Sequence, residues 1–440
     1  MAVTFSKTDI GLICLVVTLV LMAIRLPIGI ALIAVSLGGI AAITNLQAAW
    51  GIISTIPYNF VATWELSAVP MFLMMGYIAA RCQITSGLFQ AMRITLNRVP
   101  GSLASASVAA CALFAAASGS SVATSAALAR IAVPEMIKAG YEKALATGSI
   151  AAAGTLGSLI PPSILMVIYG LFTDTSIGAL FMAGFLPGIL TAIAFIIMIT
   201  IRVKIWPEIA PKDNRTFTRE ERAAAFRDIW PLPTLVVGVL GSIFTGICTP
   251  TEAGAVGSSL VIVIAAIRRT ISFKLVLTAA IDAAVATSVM FIIAVGAAMF
   301  VRLMGLSQLP EFLAGLVLSV SHNQYVVLLM ISLVYILLGM FIDSTGIMLL
   351  TLPFILPLLR ELNIDMVWFG ILTIKLLEIG LVSPPVGLNV YVVKTALGDE
   401  VDLPTVFRGA AWFMFTDILV LAILIAFPII SLWLPGLMAK

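Results

Sequence analysis

The sequence predicts an all-α, polytopic membrane protein built from two copies of one unit. Three observations carry this. Of 440 residues, 61% are hydrophobic and 10% charged, with a mean hydropathy of +1.17, whereas a soluble domain carries about a quarter charged residues. Apolar stretches of spanning length, roughly 17–25 residues, recur from end to end, without the period-2 alternation of a membrane barrel. Finally, a proline pair embedded in one apolar segment, LGSLIPPSILMVIYG (156–170), returns in a second, IGLVSPPVGLNVYVV (379–393).

The elements follow from hydropathy and from the placement of Lys and Arg, which stay on the cytoplasmic side. Residues 1–9 lack the pattern of a cleavable leader and run into a first span at about 9–24, which turns at Arg25. A second span at about 27–43 leads out, and a third at about 67–83 returns to Arg81, Arg93 and Arg98. The next apolar stretch, 101–129, lies between Arg98 and the group Arg130, Lys138 and Lys143, so both its ends belong in the cytoplasm. It is expected to be a re-entrant hairpin turning at SGSSVATS (118–125), whose small residues suit close packing.

Spans at about 144–170 and 177–204 follow, and then the polar stretch PKDNRTFTREERAAAFRD (211–228), with Lys212, Arg215, Arg219, Arg222 and Arg227. This is the one clear linker. Beyond it come spans at about 231–247, 251–267 and 283–301, and a segment at 303–325 free of Lys and Arg, expected outside. Residues 326–358 repeat the hairpin, turning at GMFIDSTG (339–346), and spans at about 366–394 and 411–434 complete the chain. The expectation is ten spans and two hairpins, with both termini outside. Trp50, Trp64, Trp230, Trp368, Trp412 and Trp433 fall near span ends as interfacial anchors, and 45–66 lies along the outer interface. Cys14, Cys82, Cys111 and Cys248 are scattered without metal-ligand or paired spacing and read as packing residues.

The two halves correspond. Met-Phe at 71–72 matches Met-Phe at 290–291, SGSS at 118–121 matches DST at 343–345, Val-Pro at 133–134 matches Leu-Pro at 352–353, and GSLIPP at 157–162 matches GLVSPP at 380–385. Separations stay between 219 and 224 residues. The organisation is a first repeat over 1–210, a linker over 211–230 and a second repeat over 231–440. Five spans per half put the copies in opposite orientations, an arrangement common in secondary transporters.

Pro161-Pro162 and Pro384-Pro385 remove backbone donors and break their helices. Bilayer lipid penalises such breaks, so they persist where they line a polar cavity inside the protein. A broken helix presents carbonyls at one end and N–H groups at the other, which together make an ion and anion site at mid-membrane depth. Two broken helices and two hairpin turns are expected to converge on one such site. Other functions fare worse. The single histidine, His322, lies in an external loop and supports neither a Ser–His nor a His–metal site. No GxxxxGK[ST] phosphate loop occurs. A channel is compatible with the repeat and the hairpins, and no nucleic-acid partner is expected.

Taken together, SGSSVATS, GSLIPPSI, FMAGFLPG, GMFIDSTG and GLVSPPVGLN resemble the large membrane subunit of tripartite ATP-independent periplasmic (TRAP) transporters, over essentially the whole chain. The resemblance implies sodium-coupled uptake of a small organic acid anion, a carboxylate or a sulfonate, across the bacterial inner membrane. Partners would be a periplasmic substrate-binding protein and a small four-helix membrane subunit, here on a separate chain. It also implies an elevator architecture, with a core of hairpins and broken helices sliding against a scaffold. A stand-alone sodium–dicarboxylate symporter of related architecture is the alternative.

No cofactor is implied beyond sodium as the coupling ion, a hard cation that takes oxygen ligands. A first site would comprise Ser118, Gly119, Ser120 and Ser121 with Gly154, Gly157 and Ser158. A second would comprise Asp343, Ser344, Thr345 and Gly346 with Gly380, Ser383 and Pro384. Asp343 replaces a glycine-like position and either ligates sodium or orients the cage. Thr124 and Ser125 read as packing residues. Other charges in or near the spans are Glu65, Glu252, Asp282, Arg302, Lys375, Glu378 and Asp417, and ionisable groups at such depth are functional candidates. Arg302 either forks onto a substrate carboxylate or snorkels to the outer surface. Thr155 and Asn389 are further polar groups near the substrate. Lys375 and Glu378, three apart on one helix, are expected to neutralise each other as a structural pair.

Overall fold

Helix is the only spanning structure that satisfies its own backbone in hydrocarbon without closing into a barrel, and in the computed structural model no strand occurs among the described residues, which are 6–82, 84–211 and 217–438. Lys212 and Arg215 of the linker lie outside them, as do both chain ends. The first half opens with α1 (Lys7–Ala23), capped reciprocally by Ser6 and Asp9, and α2 (Ile28–Ile43). Next, α3 (Leu46–Val61) bends by 56° into α4 (Ala68–Arg81). After α5 (Ile84–Thr95), α6 (Ser102–Ser118) and α7 (Ser121–Lys138) form a hairpin. The passage α8 (Lys143–Ala153), α9 (Leu156–Leu159) and α10 (Ile164–Thr173) is broken and bent by 42°, and α11 (Ile177–Ile205) ends the half.

In the second half, α12 (Arg219–Ile229), α13 (Pro231–Val236) and α14 (Ser242–Phe244) run through a π-helical turn at Val237–Gly241 to α15 (Pro250–Ile267) and α16 (Phe273–Ser307). Then come α17 (Leu309–Val320), a hairpin of α18 (Gln324–Gly339) and α19 (Ser344–Glu361), and a broken passage of α20 (Met366–Val382) and α21 (Leu388–Leu397). The last helices are α22 (Leu403–Ala426) and α23 (Ile429–Met438).

The element order recurs, and so does the packing. Helix α2 lies along α16 as α15 lies along α4, α8 along α22 as α20 along α11, and α7 along α21 as α19 along α10. The α8–α22 crossing is set by Gly148 and Gly409: a Cβ on Gly409 would meet the Ala144 carbonyl, so only glycine permits this approach. On α16 the exposed side chains Ile281, Val285, Val289 and Ile292 form one stripe at helical spacing, the face such a helix turns to lipid.

Sequence and structure differ in helix boundaries. Six described helices are long and apolar enough to cross a membrane, eight if each bent pair counts once, against the ten expected. Of the hairpin helices α19 passes such a test, whereas α6 and α18, at 17 and 16 residues, are too short for it. The span expected at 283–301 is the middle of 35-residue α16, whose ends are set by the Ser272 cap and by Gln308 in the left-handed region, at φ 57°. The expected external segment 303–325 contains helix α17, and the final span divides at Phe427-Pro428. Trp368 is no interfacial anchor: it is buried and donates its ring N–H to the Leu424 carbonyl at 3.0 Å.

Candidate binding site between the two hairpin turns

The first turn is two residues long. Gly119, at φ 61°, ends α6, and Ser120 caps α7, its Oγ accepting from the Ala123 N–H at 3.4 Å. Thr124 ties the turn together. Its hydroxyl lies 2.6 Å from Ser118 Oγ and donates to the Ser120 carbonyl at 2.9 Å, a more specific role than packing. The broken passage backs onto this turn. A Cβ on Gly157 would lie 2.5 Å from the Ser120 carbonyl oxygen, and one on Gly119 would lie 2.8 Å from that of Pro162. Glycine at both places therefore lets carbonyl oxygens of hairpin and broken helix crowd together. Gly154 serves the same contact, packed against the Ser125 hydroxyl.

The second turn runs from the end of α18 to Asp343, which caps α19. Its Oδ2 accepts from the N–H groups of Thr345 and Gly346, both at 3.1 Å. This corrects the sequence alignment of the turns. Asp343 and Ser120 occupy equivalent places, each capping an 18-residue helix after the hairpin break, so the carboxylate replaces a serine hydroxyl and not a glycine-like position. Gly380 packs against Gly339 of α18, and its carbonyl accepts from the Ser383 N–H. Ser383 Oγ donates to the Ile379 carbonyl at 2.7 Å.

A cavity of about 200 Å³ joins the two turns. Gly119, Ser120 and Ser121 face Asp343, Ser344 and Thr345 across it, with Ser158 from the first broken passage. Its apolar walls come from Met290, Ile164, Leu165, Leu381 and Leu388, which carry no polar signal in the sequence. Buried hydroxyls of Ser344, on its lining, and of Ser163, in the first break, have no partner among the described residues. Larger cavities of about 620 and 780 Å³ lie elsewhere, around Trp64 and Glu252 and around Arg98 and Lys204. The smaller one is the candidate because the turns and both breaks meet there.

The remaining expected residues divide. Pro161-Pro162 and Pro384-Pro385 stand at the two breaks, both as cis peptides. Asn389 is buried at the start of α21 and donates to the Ala151 carbonyl at 3.3 Å, while its Oδ1 has no described partner. Thr155 bonds back to the Ala152 carbonyl at 2.7 Å. Ser118, Gly154, Thr155, Gly157, Gly380, Ser383 and Pro384 do not line the cavity, and Gly346 follows Thr345 in α19. Arg302 is exposed on α16 and is not brought to the cavity. Of the other charges, Glu252 closes a capping box with Thr249, and Asp282 pairs with Arg81.

Lys375 and Glu378 are not a self-contained pair, as the sequence suggested. Asp417 of α22 joins them, and all three side chains are fully buried. The Lys375 ammonium donates to Glu378 Oε2 at 3.0 Å, to Asp417 Oδ1 at 2.5 Å and to Thr191 Oγ1 of α11 at 3.2 Å. Helix spacing reveals the i,i+3 pair, but nothing local to α20 indicates the partner 42 residues on.

The family model described as "Tripartite ATP-independent periplasmic transporter, DctM component" matches residues 15–430. The C4-dicarboxylate TRAP transporter large permease protein DctM of Pseudomonas aeruginosa is 34% identical over 374 residues, covering 85% of this chain and 86% of its own. The sialic acid TRAP transporter large permease protein SiaM of Vibrio cholerae is 34% identical over 379 residues, covering 86% and 87%. Among solved structures, the Alcanivorax borkumensis YdaH transporter shares the fold, with a TM-score of 0.61 over 97% of both chains at 16% identity. With hairpins and broken helices at matching places in both halves, and relatives a third identical over most of their length, the chain belongs to the DctM component family, the large membrane permeases of TRAP transporters.

Proposed function

We propose that this permease imports a small organic acid anion across the bacterial inner membrane, driven by sodium. The observation that carries this reading is the cavity in which both hairpin turns meet beside both breaks. Hydroxyls, crowded carbonyls and one carboxylate are the ligands a hard monovalent cation takes, and each contact is weak enough for release. A first sodium site at Ser118, Gly119, Ser120 and Ser121, supported by Gly154, Gly157 and Ser158, faces a second at Asp343, Ser344 and Thr345, supported by Gly346, Gly380, Ser383 and Pro384. The anion would sit between the turns, near Thr155 and Asn389. The names of the two relatives supply the class, since C4-dicarboxylates and sialic acid are both carboxylates.

In this reading residues 1–210 and 231–440 are inverted copies, both termini face the periplasm, and the core slides against the scaffold as an elevator. A small four-helix membrane subunit on its own chain and a periplasmic binding protein complete the system. The test is uptake into proteoliposomes holding the chain and its small partner, with loaded binding protein outside. Uptake that requires both an inward sodium gradient and the binding protein is expected. Uptake at the same rate in a potassium gradient would overturn sodium coupling, and uptake without the binding protein would overturn the tripartite dependence.

A further inference from the structure

One buried ammonium in the core faces two buried carboxylates. Lys375 meets two carboxylates, so the cluster with Glu378 and Asp417, fully buried, holds either a surplus negative charge or one bound proton. All three ammonium protons are committed, to Glu378, Asp417 and Thr191, and Phe195 covers the ammonium at 5.9 Å. The outer oxygens, Glu378 Oε1 and Asp417 Oδ2, have no partner among the described residues. A surplus charge buried in this way is costly unless a proton or a nearby cation offsets it.

Packing does not require that charge. Thr191 and Asp417 each stand fourteen residues after the first residue of their helices, α11 and α22, and both contact Lys375. The first half makes this contact with a neutral hydroxyl and the second half with a carboxylate. In the register of GSLIPP and GLVSPP, the first-half counterparts of Lys375 and Glu378 are Ala152 and Thr155, also uncharged. Location supplies the rest. Glu378 is one turn before Leu381 on the same face of α20, and Leu381 lines the cavity that Asp343 also lines.

We infer that the Lys375–Glu378–Asp417 cluster is a fixed counter-charge that strengthens cation binding at the hairpin turns, with Glu378 and Asp417 acting as positioning residues through the field and not as ligands. The inference rests on the sodium-coupled reading above. Asp343 and the cluster's surplus together supply two negative charges, which a cation at each turn would neutralise. One unit charge about 10 Å from a cation, at an effective dielectric constant of about 20, changes its affinity on the order of tenfold.

The experiment is a sodium titration of the purified permease with its small subunit, against choline at constant ionic strength, read as thermal stabilisation by tryptophan fluorescence. Glu378→Gln and Asp417→Asn, on different helices, should each raise half-saturating sodium by about tenfold, and the double variant by about a hundredfold. Glu378→Asp keeps the charge and should restore the original value. Equal shifts from two sites with charge-conserving rescue are what a field produces and loss of packing does not. Half-saturating sodium unmoved in either folded single variant overturns the inference and means that a proton already neutralises the cluster. An unaltered permease that sodium does not stabilise overturns the coupling reading, and this inference with it.

Discussion

Asp343 has an observed capping task and a proposed binding task in one carboxylate, and they separate by magnitude. As the cap of α19 it accepts two backbone N–H groups, and losing such a cap costs about 1 kcal/mol. As the charged group lining the cavity it would balance a cation. Asp343→Asn keeps a capping oxygen and removes the charge. It should therefore melt within a few degrees of the unaltered protein yet lose sodium-driven uptake by at least tenfold; normal uptake at unchanged sodium dependence would remove Asp343 from the site. Gly119 is constrained differently. Its φ of 61° and the Pro162 carbonyl beside it leave no room for a methyl group, so Gly119→Ala should push the first turn off the broken passage and reduce uptake at least tenfold. Arg302, exposed on α16, should tolerate Ala with half-saturating substrate changed by no more than about twofold. A tenfold rise would restore the carboxylate-pairing role.

At the scale of elements, what the sequence made legible was whatever leaves a local mark. A proline pair inside an apolar run marks a break wherever it stands, and small residues between two cytoplasmic charge groups mark a turn. The first hairpin and both broken passages follow from those signals, and the second hairpin follows from the repeat of the unit. The dimensions of α16 do not, because hydropathy averages over a window while the helix is ended by the Ser272 cap and a left-handed Gln308. Nor does the buried cluster, since Asp417 reaches Lys375 only once α20 and α22 have packed. The apolar lining of the cavity is silent for the same reason: Met290 or Leu388 resembles any other spanning residue until the fold brings it to the turns. The prolines themselves are testable as an element. Pro161→Ala with Pro162→Ala restores two backbone donors to the break between α9 and α10, favouring a continuous helix. The expected result is folded protein with uptake lost; normal uptake would make the break incidental.

For the whole molecule, the arrangement raises the question of which helices move together. The hairpins, broken passages, α11 and α22 are linked by contacts that leave little slack, including the glycine crossing of α8 with α22 and the buried cluster joining α11, α20 and α22. Helices α2, α4, α15 and α16 pack on one another as a second body. Where α16 meets α19 the contact is of another kind, an edge-to-face pair of Phe300 and Phe354 with ring centroids 6.3 Å apart, an apolar interface with no hydrogen bond among the described residues to hold its register. If the core slides as an elevator, this is a surface across which it slides. In a permease freed of its four cysteines, Phe300→Cys with Phe354→Cys joined through disulfides by a short bis-methanethiosulfonate should stop uptake while leaving sodium-dependent thermal stabilisation in place, because the proposed oxygen ligands on the two turns lie within one body and the link lies between two. Reduction of the link should restore transport. Full uptake by the linked protein would show that α16 and α19 keep their contact throughout the cycle, and the moving boundary would then have to be sought elsewhere in the fold.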